Sequence, residues 1–497
     1  MILKICDQVI FYSLIILVAL TPLVINPWGD DQFRLPKEVF AQIMIIIAFS
    51  SWLIKLVEES FRPNPPFRRG GLGWGIFVIK NIFKEAPLIL PISLLILASI
   101  LSLINSTSAL FSFKSILNVV LYSLLYIVIV NNIKKERKIR ILLLSALISG
   151  VITSIYCLIQ YLGLDPIAHT VNPADPNFGT YRTTGFLDNP DIVSGYLITL
   201  PTVALSMFFT STKLALRIFF FSAFLLIASI TIIIHSIAPI FGLLIAFVIF
   251  MVFARFHFTS KVKIGLAVIL FSFISVGFFS GKVETLFSRV STLYEKFFDL
   301  SSDRLLMWRT AGEMIKDKPI AGIGIGMYKV KFFEYRDKVL DKIPYFGVYE
   351  KAEQSHNEYL QLWAEMGTVG IAAAMWLIVG YFIYTIKSIK THPPICKGGN
   401  KGGVEQGISQ LMVIGLMSGV TAILINAIGS FPFHIAPSSV LTVVLIALTV
   451  SIQDISSPYE RKLSLPFSFP LEGEGRVRGG KEGRFSVTDR AKLCLKK

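Results

Sequence analysis

Charge is scarce in this sequence. Only 16% of its 497 residues are Asp, Glu, Lys or Arg, against 54% apolar. Soluble domains are about 25% charged, so a water-facing surface cannot be built from this chain. Cysteine is nearly absent as well. The four present (Cys6, Cys157, Cys396 and Cys494) fall in apolar runs or in loops expected to face the cytoplasm, which excludes a disulfide framework. Histidine and cysteine also lack the spacing of a metal site, so no metal ligand is assigned and no cofactor is expected.

What the chain has is long apolar runs. About twelve are long enough to cross the roughly 30 Å hydrocarbon core of a bilayer as helices. They lie near 8–27, 38–57, 87–105, 115–131, 140–162, 187–209, 214–234, 236–254, 262–280, 362–386, 408–428 and 434–453. The fold class expected is therefore all-α, a polytopic integral membrane protein. The first run follows Lys4 and has no small-x-small cleavage site, so it reads as an uncleaved first helix. Helices 1–9 fall within residues 1–280, an outward loop covers 281–357, helices 10–12 fill 358–453, and a disordered cytoplasmic tail occupies 454–497.

Lysine and arginine set the orientation. They concentrate in the loops after the even-numbered runs, among them Lys134-Lys135-Glu136-Arg137-Lys138. Those loops and both termini are expected in the cytoplasm. The formal charge of +16 then divides into +19 on the cytoplasmic side and −3 on the other. This basicity meets anionic lipid and reports orientation; a nucleic-acid partner is not expected. Three Gly-, Pro- and Arg/Lys-rich stretches, 65–71, 393–399 and 473–480, read as cytoplasmic inserts and tail that cannot pack a core. Their glycine strings neither follow a strand nor open a helix, as a phosphate loop requires.

The first nine runs hold almost no ionisable residue, whereas ion-coupled transporters keep some inside the membrane. Polar residues gather instead in two outward segments, 163–191 and 281–358. In the longer one, Val283, Leu286, Phe287, Val290, Leu293, Tyr294, Phe297 and Phe298 recur at the spacing of an interfacial amphipathic helix. Ser301 and Ser302 can cap a second helix from Asp303 to about Lys316. Pro319 with Gly322, Gly324 and Gly326 ends it in a turn, a third helix follows over about 327–340, and Gln354-Ser355-His356-Asn357 opens the tenth span. Helical spacing places His356, Tyr359, Leu360 and Trp363 on one face.

In order and spacing, residues 290–375 resemble the core segment of the O-antigen ligase and polymerase superfamily. The carrying pieces are Arg304-Leu-Leu-Met-Trp308, Lys318-Pro319-Ile-Ala-Gly322-Ile-Gly324-Ile-Gly326, His356-Asn357-Glu358-Tyr359-Leu360-Gln361 and Glu365-Met-Gly367. Arg182-Thr-Thr-Gly185-Phe-Leu-Asp188-Asn189-Pro190 resembles a second motif upstream. One departure stands out. Many members carry an arginine at the outer end of a mid-chain span, where this chain reads Ser236-Ile237-Ala238-Pro239.

The resemblance implies a bacterial inner-membrane enzyme that transfers a glycan from an undecaprenyl-diphosphate donor. Its acceptor is lipid A–core or a growing surface polysaccharide, and its surroundings are membrane lipids. Diphosphate is a good leaving group, so the chemistry chiefly needs its charge neutralised, which the planar, permanently charged guanidinium of arginine does bidentately. Arg304 and then Arg182 are the residues expected to bind the donor diphosphate. His356 is expected to take the proton from the acceptor hydroxyl. Asn357 and Glu358 are placed as its supports, with Trp308 and Tyr359 as sugar platforms or interfacial anchors. A polymerase or a protein O-oligosaccharyltransferase shares these motifs. A lipid-glycan or small-anion transporter is the alternative of a different class, and it would show broken, polar helices near the membrane midplane.

Overall fold

A computed structural model describes residues 1–29, 31–60, 86–165, 183–234, 236–255, 257–268, 303–340, 352–391 and 401–456. All regular structure among them is helical. Nine helices are long and apolar enough to cross a membrane, counting Pro190–Thr210 as one, and Ile89–Asn105 and Gln410–Asn426 are shorter apolar helices. Eleven of the twelve expected runs thus appear as helices. Of the run at 262–280, only residues 262–268 are described, and these are helical. The expected amphipathic helix at 283–298, the caps Ser301 and Ser302, Arg182 and the three inserts lie outside the described residues.

The helices are α1 (Ile2–Leu20), α2 (Arg34–Ser60), α3 (Ile89–Leu101), α4 (Ala109–Asn132), α5 (Glu136–Tyr161), α6 (Pro190–Leu197), α7 (Leu200–Thr210), α8 (Leu214–Ile233) and α9 (Ile237–Ala254). After the helical turn at 260–268 come α10 (Asp303–Asp317), α11 (Tyr328–Leu340), α12 (Glu358–Thr391), α13 (Lys401–Asn426) and α14 (Ala436–Ser456). The α6–α7 pair and α14 are the most enclosed spans, with 89% of their apolar windows buried against other helices. Large apolar side chains stay exposed along α2 (Ile43, Ile46, Leu53), α9 (Phe241, Val248) and α12 (Trp376, Val379). That is the surface a bilayer covers.

Lipid tails are as apolar as leucine, so helices in a membrane associate through close packing rather than hydrophobic burial. On α13, Gly415 and Gly419 supply it: a Cβ there would lie 2.9 Å from the Thr202 carbonyl and 2.5 Å from the Thr199 carbonyl of the α6–α7 segment. Thr202 donates to the Gly415 carbonyl at 3.0 Å. The expected continuous span at 187–209 is in fact broken between α6 and α7, because Pro201 in the first turn of α7 has no N–H to continue the ladder. At the break the Thr199 and Thr202 hydroxyls donate to the Tyr196 and Gly415 carbonyls.

Contacts of charged side chains gather at two ends of the bundle. At one, Lys55 meets Asp7 at 2.7 Å and Asn132 at 3.0 Å, and Arg140 reaches Thr210. At the other, Arg34 pairs with Glu353, Asn105 donates to the Gly322 carbonyl, and Ser236 donates to Asp191. Every contact at this second end joins segments that the lysine and arginine pattern puts on one side.

Candidate functional site

The site rests on a platform that the glycine motif makes possible. Gly322 and Gly367 face each other, and both have positive φ. A Cβ on Gly322 would lie 2.3 Å from the Glu365 carbonyl oxygen, and one on Gly367 would lie 2.1 Å from the Ile320 oxygen. Only glycine allows the loop to approach α12 this closely. Gly367 also leaves helical geometry, so α12 is kinked there. Pro319 and Ile320 accept from the Thr368 and Val369 N–H groups, while Ile323 and Gly324 donate to the Ala364 and Glu365 carbonyls. The Glu365 carboxylate, 4% exposed, accepts from the Gly326 and Tyr328 N–H groups at 2.8 and 3.1 Å. It thereby satisfies donors at the start of α11, where the helix dipole favours an anion. The motif glycines make a turn and a close packing contact.

His356 stands on a tight turn held by its neighbours. The Ser355 hydroxyl donates to the Asn357 carbonyl and accepts from the Asn357 N–H, while the Ser355 N–H donates to the Gln361 side chain at 2.9 Å. Asn357 caps α12 by accepting from the Leu360 N–H. His356 itself sits at φ +52, a left-handed conformation uncommon for a non-glycine residue. It precedes the helix, so the shared face expected from helical spacing does not extend to it. Its ring meets Phe431 edge-on at 4.9 Å, and Nδ1 is buried without a hydrogen bond. Burial first, then the positive charge of Arg304 and of Arg34, lower its pKa, against an opposing pull from Asp191. These influences favour the neutral ring, the state a base requires.

Arg304 lies in the first turn of α10 with its side chain half exposed. Its Nη2 is 3.7 Å from one Asp191 oxygen, and the other Asp191 oxygen accepts from the Ser236 hydroxyl at 2.6 Å. A guanidinium therefore does stand beside Ser236, where the linear sequence has none. It arrives through the fold, from 68 residues further along the chain.

Glu358 is engaged with His434. Its carboxylate, in a residue 7% exposed, pairs with Nδ1 of His434 at 2.9 Å and accepts from the Phe433 N–H, while its own N–H donates to Ala427. Burial alone would lower the His434 pKa, but Glu358 beside it and Glu365 beyond raise it to about 9. Gln361 Nε2 lies 3.2 Å from the other ring nitrogen of His434. Tyr359 donates to the Leu424 carbonyl, tying α12 to α13. Trp308 packs on the Met307, Tyr328 and Phe332 cluster between α10 and α11.

Sequence reasoning missed Asp191, His434 and Lys37. Lys37 reads as a loop lysine but lies inside α2, 2% exposed, donating to the Val24 carbonyl at 2.6 Å. It lines a cleft with Arg34, Tyr122 and His434. The signal for His434 was present: like His356, it is a lone histidine immediately before an apolar run.

A Haemophilus influenzae protein described as uncharacterized is 33% identical over 89 residues, which is 18% of this chain. The chain spans about a fifth of that relative's length, 21%. Residues 218–375 match the family model described as O-antigen ligase. That segment includes Arg304, His356 and Glu358, whereas Asp191 and His434 flank it. Over residues 218–375, about a third of its length, this polytopic chain is thus similar to the O-antigen ligase family.

Proposed function

We propose that the chain is a bacterial inner-membrane glycosyltransferase of ligase type. It moves a glycan from an undecaprenyl-diphosphate donor to an acceptor hydroxyl on lipid A–core or on a growing surface polysaccharide. One observation carries this reading: Arg304 and His356, far apart in sequence, gather round the Gly429–Phe431 turn, the half-exposed guanidinium near Gly429 and the buried imidazole against Phe431. The acceptor oxygen attacks the anomeric carbon, the bond from that carbon to the diphosphate oxygen breaks, and His356 takes the hydroxyl proton. Arg304 neutralises the departing diphosphate, and the charge is handled by guanidinium rather than by a metal. Arg182 is the second diphosphate-binding residue. Asn357 fixes the turn that presents His356, Glu358 anchors the start of α12, and Trp308 and Tyr359 support the surrounding surface. The site end faces the periplasm, with both termini in the cytoplasm. Residues 281–357 form the periplasmic loop between helices 1–9 and helices 10–12, and 454–497 the cytoplasmic tail.

Glycan attachment measured in a strain lacking the native gene tests the reading. H356A should lower transfer by about 10²- to 10⁴-fold, the usual size of a general-base contribution. R304A should be comparably inactive. Full transfer in both variants would sink the assignment. Label on lipid A–core identifies a ligase, lengthened lipid-linked chains a polymerase, and label on a protein hydroxyl an oligosaccharyltransferase. Glycan flipping that survives both substitutions would instead indicate transport.

A further inference from the structure

Asp191 is an acid in a place where an acid looks wrong. A site for a diphosphate should repel a carboxylate, yet this one sits beside the guanidinium that would receive the donor. Its position is fixed from both directions. Asn189 caps α6 and accepts from the Asp191 N–H at 2.8 Å, with Pro190 in the first turn. The Ser236 hydroxyl, at the start of α9, holds one carboxylate oxygen at 2.6 Å. The other oxygen is left for Arg304, at an ion-pair distance of 3.7 Å that is too long for a hydrogen bond. The carboxylate is 27% exposed and the guanidinium 50%. A firmly held acid therefore faces a loosely held base.

Building on the transfer reading above, we propose that Asp191 is a positioning residue of the transfer site, holding Arg304 beside His356 and balancing its positive charge there. The loose contact matters for this role. Arginine has five N–H donors, and a carboxylate that engages it only electrostatically leaves those donors free for phosphate oxygens. Without Asp191, a half-exposed guanidinium at the membrane interface would swing to lipid phosphates, and its average position beside His356 would be lost. The balance of charge has a second effect. When His356 accepts a proton it becomes a cation next to a cation, and Asp191 is the anion that offsets this. The charged groups that His356 feels are Arg304 on α10, Arg34 on α2 and Asp191 on α6. Arg34 is already paired with Glu353 at 2.9 Å, which leaves Asp191 as the counterweight to Arg304. Ser236 acts one step further out, by keeping the carboxylate from turning to bond Arg304 directly.

The test uses the full chain in lipid nanodiscs. Diethyl pyrocarbonate reacts with neutral imidazole, so the pH dependence of His356 labelling, read by peptide mass spectrometry, follows its protonation without any substrate. D191N should move the midpoint down by about half a pH unit or more, R304A should move it up by a similar amount, and D191E should restore it, as expected for charges acting on a neighbour. In transfer assays D191N should lower kcat about tenfold while donor KM changes less, the pattern of a lost transition-state interaction. S236A should show the same changes in smaller measure. Unchanged His356 labelling in D191N overturns the proposal, and the transfer reading survives if R304A and H356A remain inactive. Full transfer in R304A and H356A removes the transfer site itself, and the role of Asp191 with it.

Discussion

At the scale of single residues, the second end of the bundle holds two histidines in opposite electrostatic situations. His356 is pushed toward neutrality by burial and Arg304, while His434 is held charged by Glu358 up to about pH 9. The His434–Glu358 pair carries its own pH dependence. A histidine whose folded pKa lies above the unfolded value of about 6.5 contributes stability that is complete below that value and lost as pH rises through the folded one. Thermal unfolding in detergent should therefore show the pair's contribution declining from about pH 6.5 and gone above about 9. E358Q should flatten that part of the profile, and an unaltered profile would remove the pair as its source. R304K provides a second residue-scale check. Lysine keeps the charge but not the planar fork, so donor binding should weaken about tenfold where guanidinium geometry matters. Equal donor KM in R304K and wild type would make Arg304 a simple point charge.

At the scale of elements, the loop from Lys318 to Gly326 and the first turns of α12 are folded onto each other by the Gly322–Gly367 contact. G367A and G322A should each cost about 2–4 kcal/mol, combining a positive φ with a backbone clash, which is the range of severe single substitutions. Denaturation of the purified variants in detergent measures this, and losses under about 0.5 kcal/mol would mean the loop can move aside. Gly322, Gly324 and Gly326 were visible in the sequence as a turn, but the close packing was not, because it depends on a partner more than forty residues away. The same limit explains Glu358. Its position at the opening of a span suggests help for His356, but its partner His434 comes from the short turn between α13 and α14, and nothing local to Glu358 shows that the fold brings the two together.

At the scale of the whole molecule, the sequence carries the architecture well. Apolar length alone marks the helices, since a bilayer of fixed thickness leaves the chain few alternatives. Lysine and arginine mark which loops belong together, and the contacts of Arg34, Asn105, Asp191, Arg304 and Glu358 at one end agree with that grouping. Hydropathy does not show how helices pack in the plane. The break at Pro201, and the small residues Gly415 and Gly419 that receive it, become meaningful only once α13 lies against α7. Replacing Gly419 by leucine should separate these helices and lower the melting temperature by several degrees, since about 2 kcal/mol moves a domain of this size by that much. An unchanged melting temperature would show that the contact is dispensable. Cysteines introduced near Asp7 and near Ser108 should label from opposite sides of sealed vesicles if the two ends face opposite compartments.

The kink at Gly367 has a mechanical consequence. The N–H groups that leave the helix there bond to Pro319 and Ile320, and the facing carbonyls of Ala364 and Glu365 are taken by the loop in return. Loop and helix thus share one hydrogen-bond ladder. Lifting the loop would expose several backbone groups at once, so it cannot serve as a hinged cover over the bundle. If the proposed transfer is correct, its lipid-linked donor enters past a fixed wall, and the walls with freedom to yield are those held by single side chains, such as the loose pairing of Arg304 with Asp191.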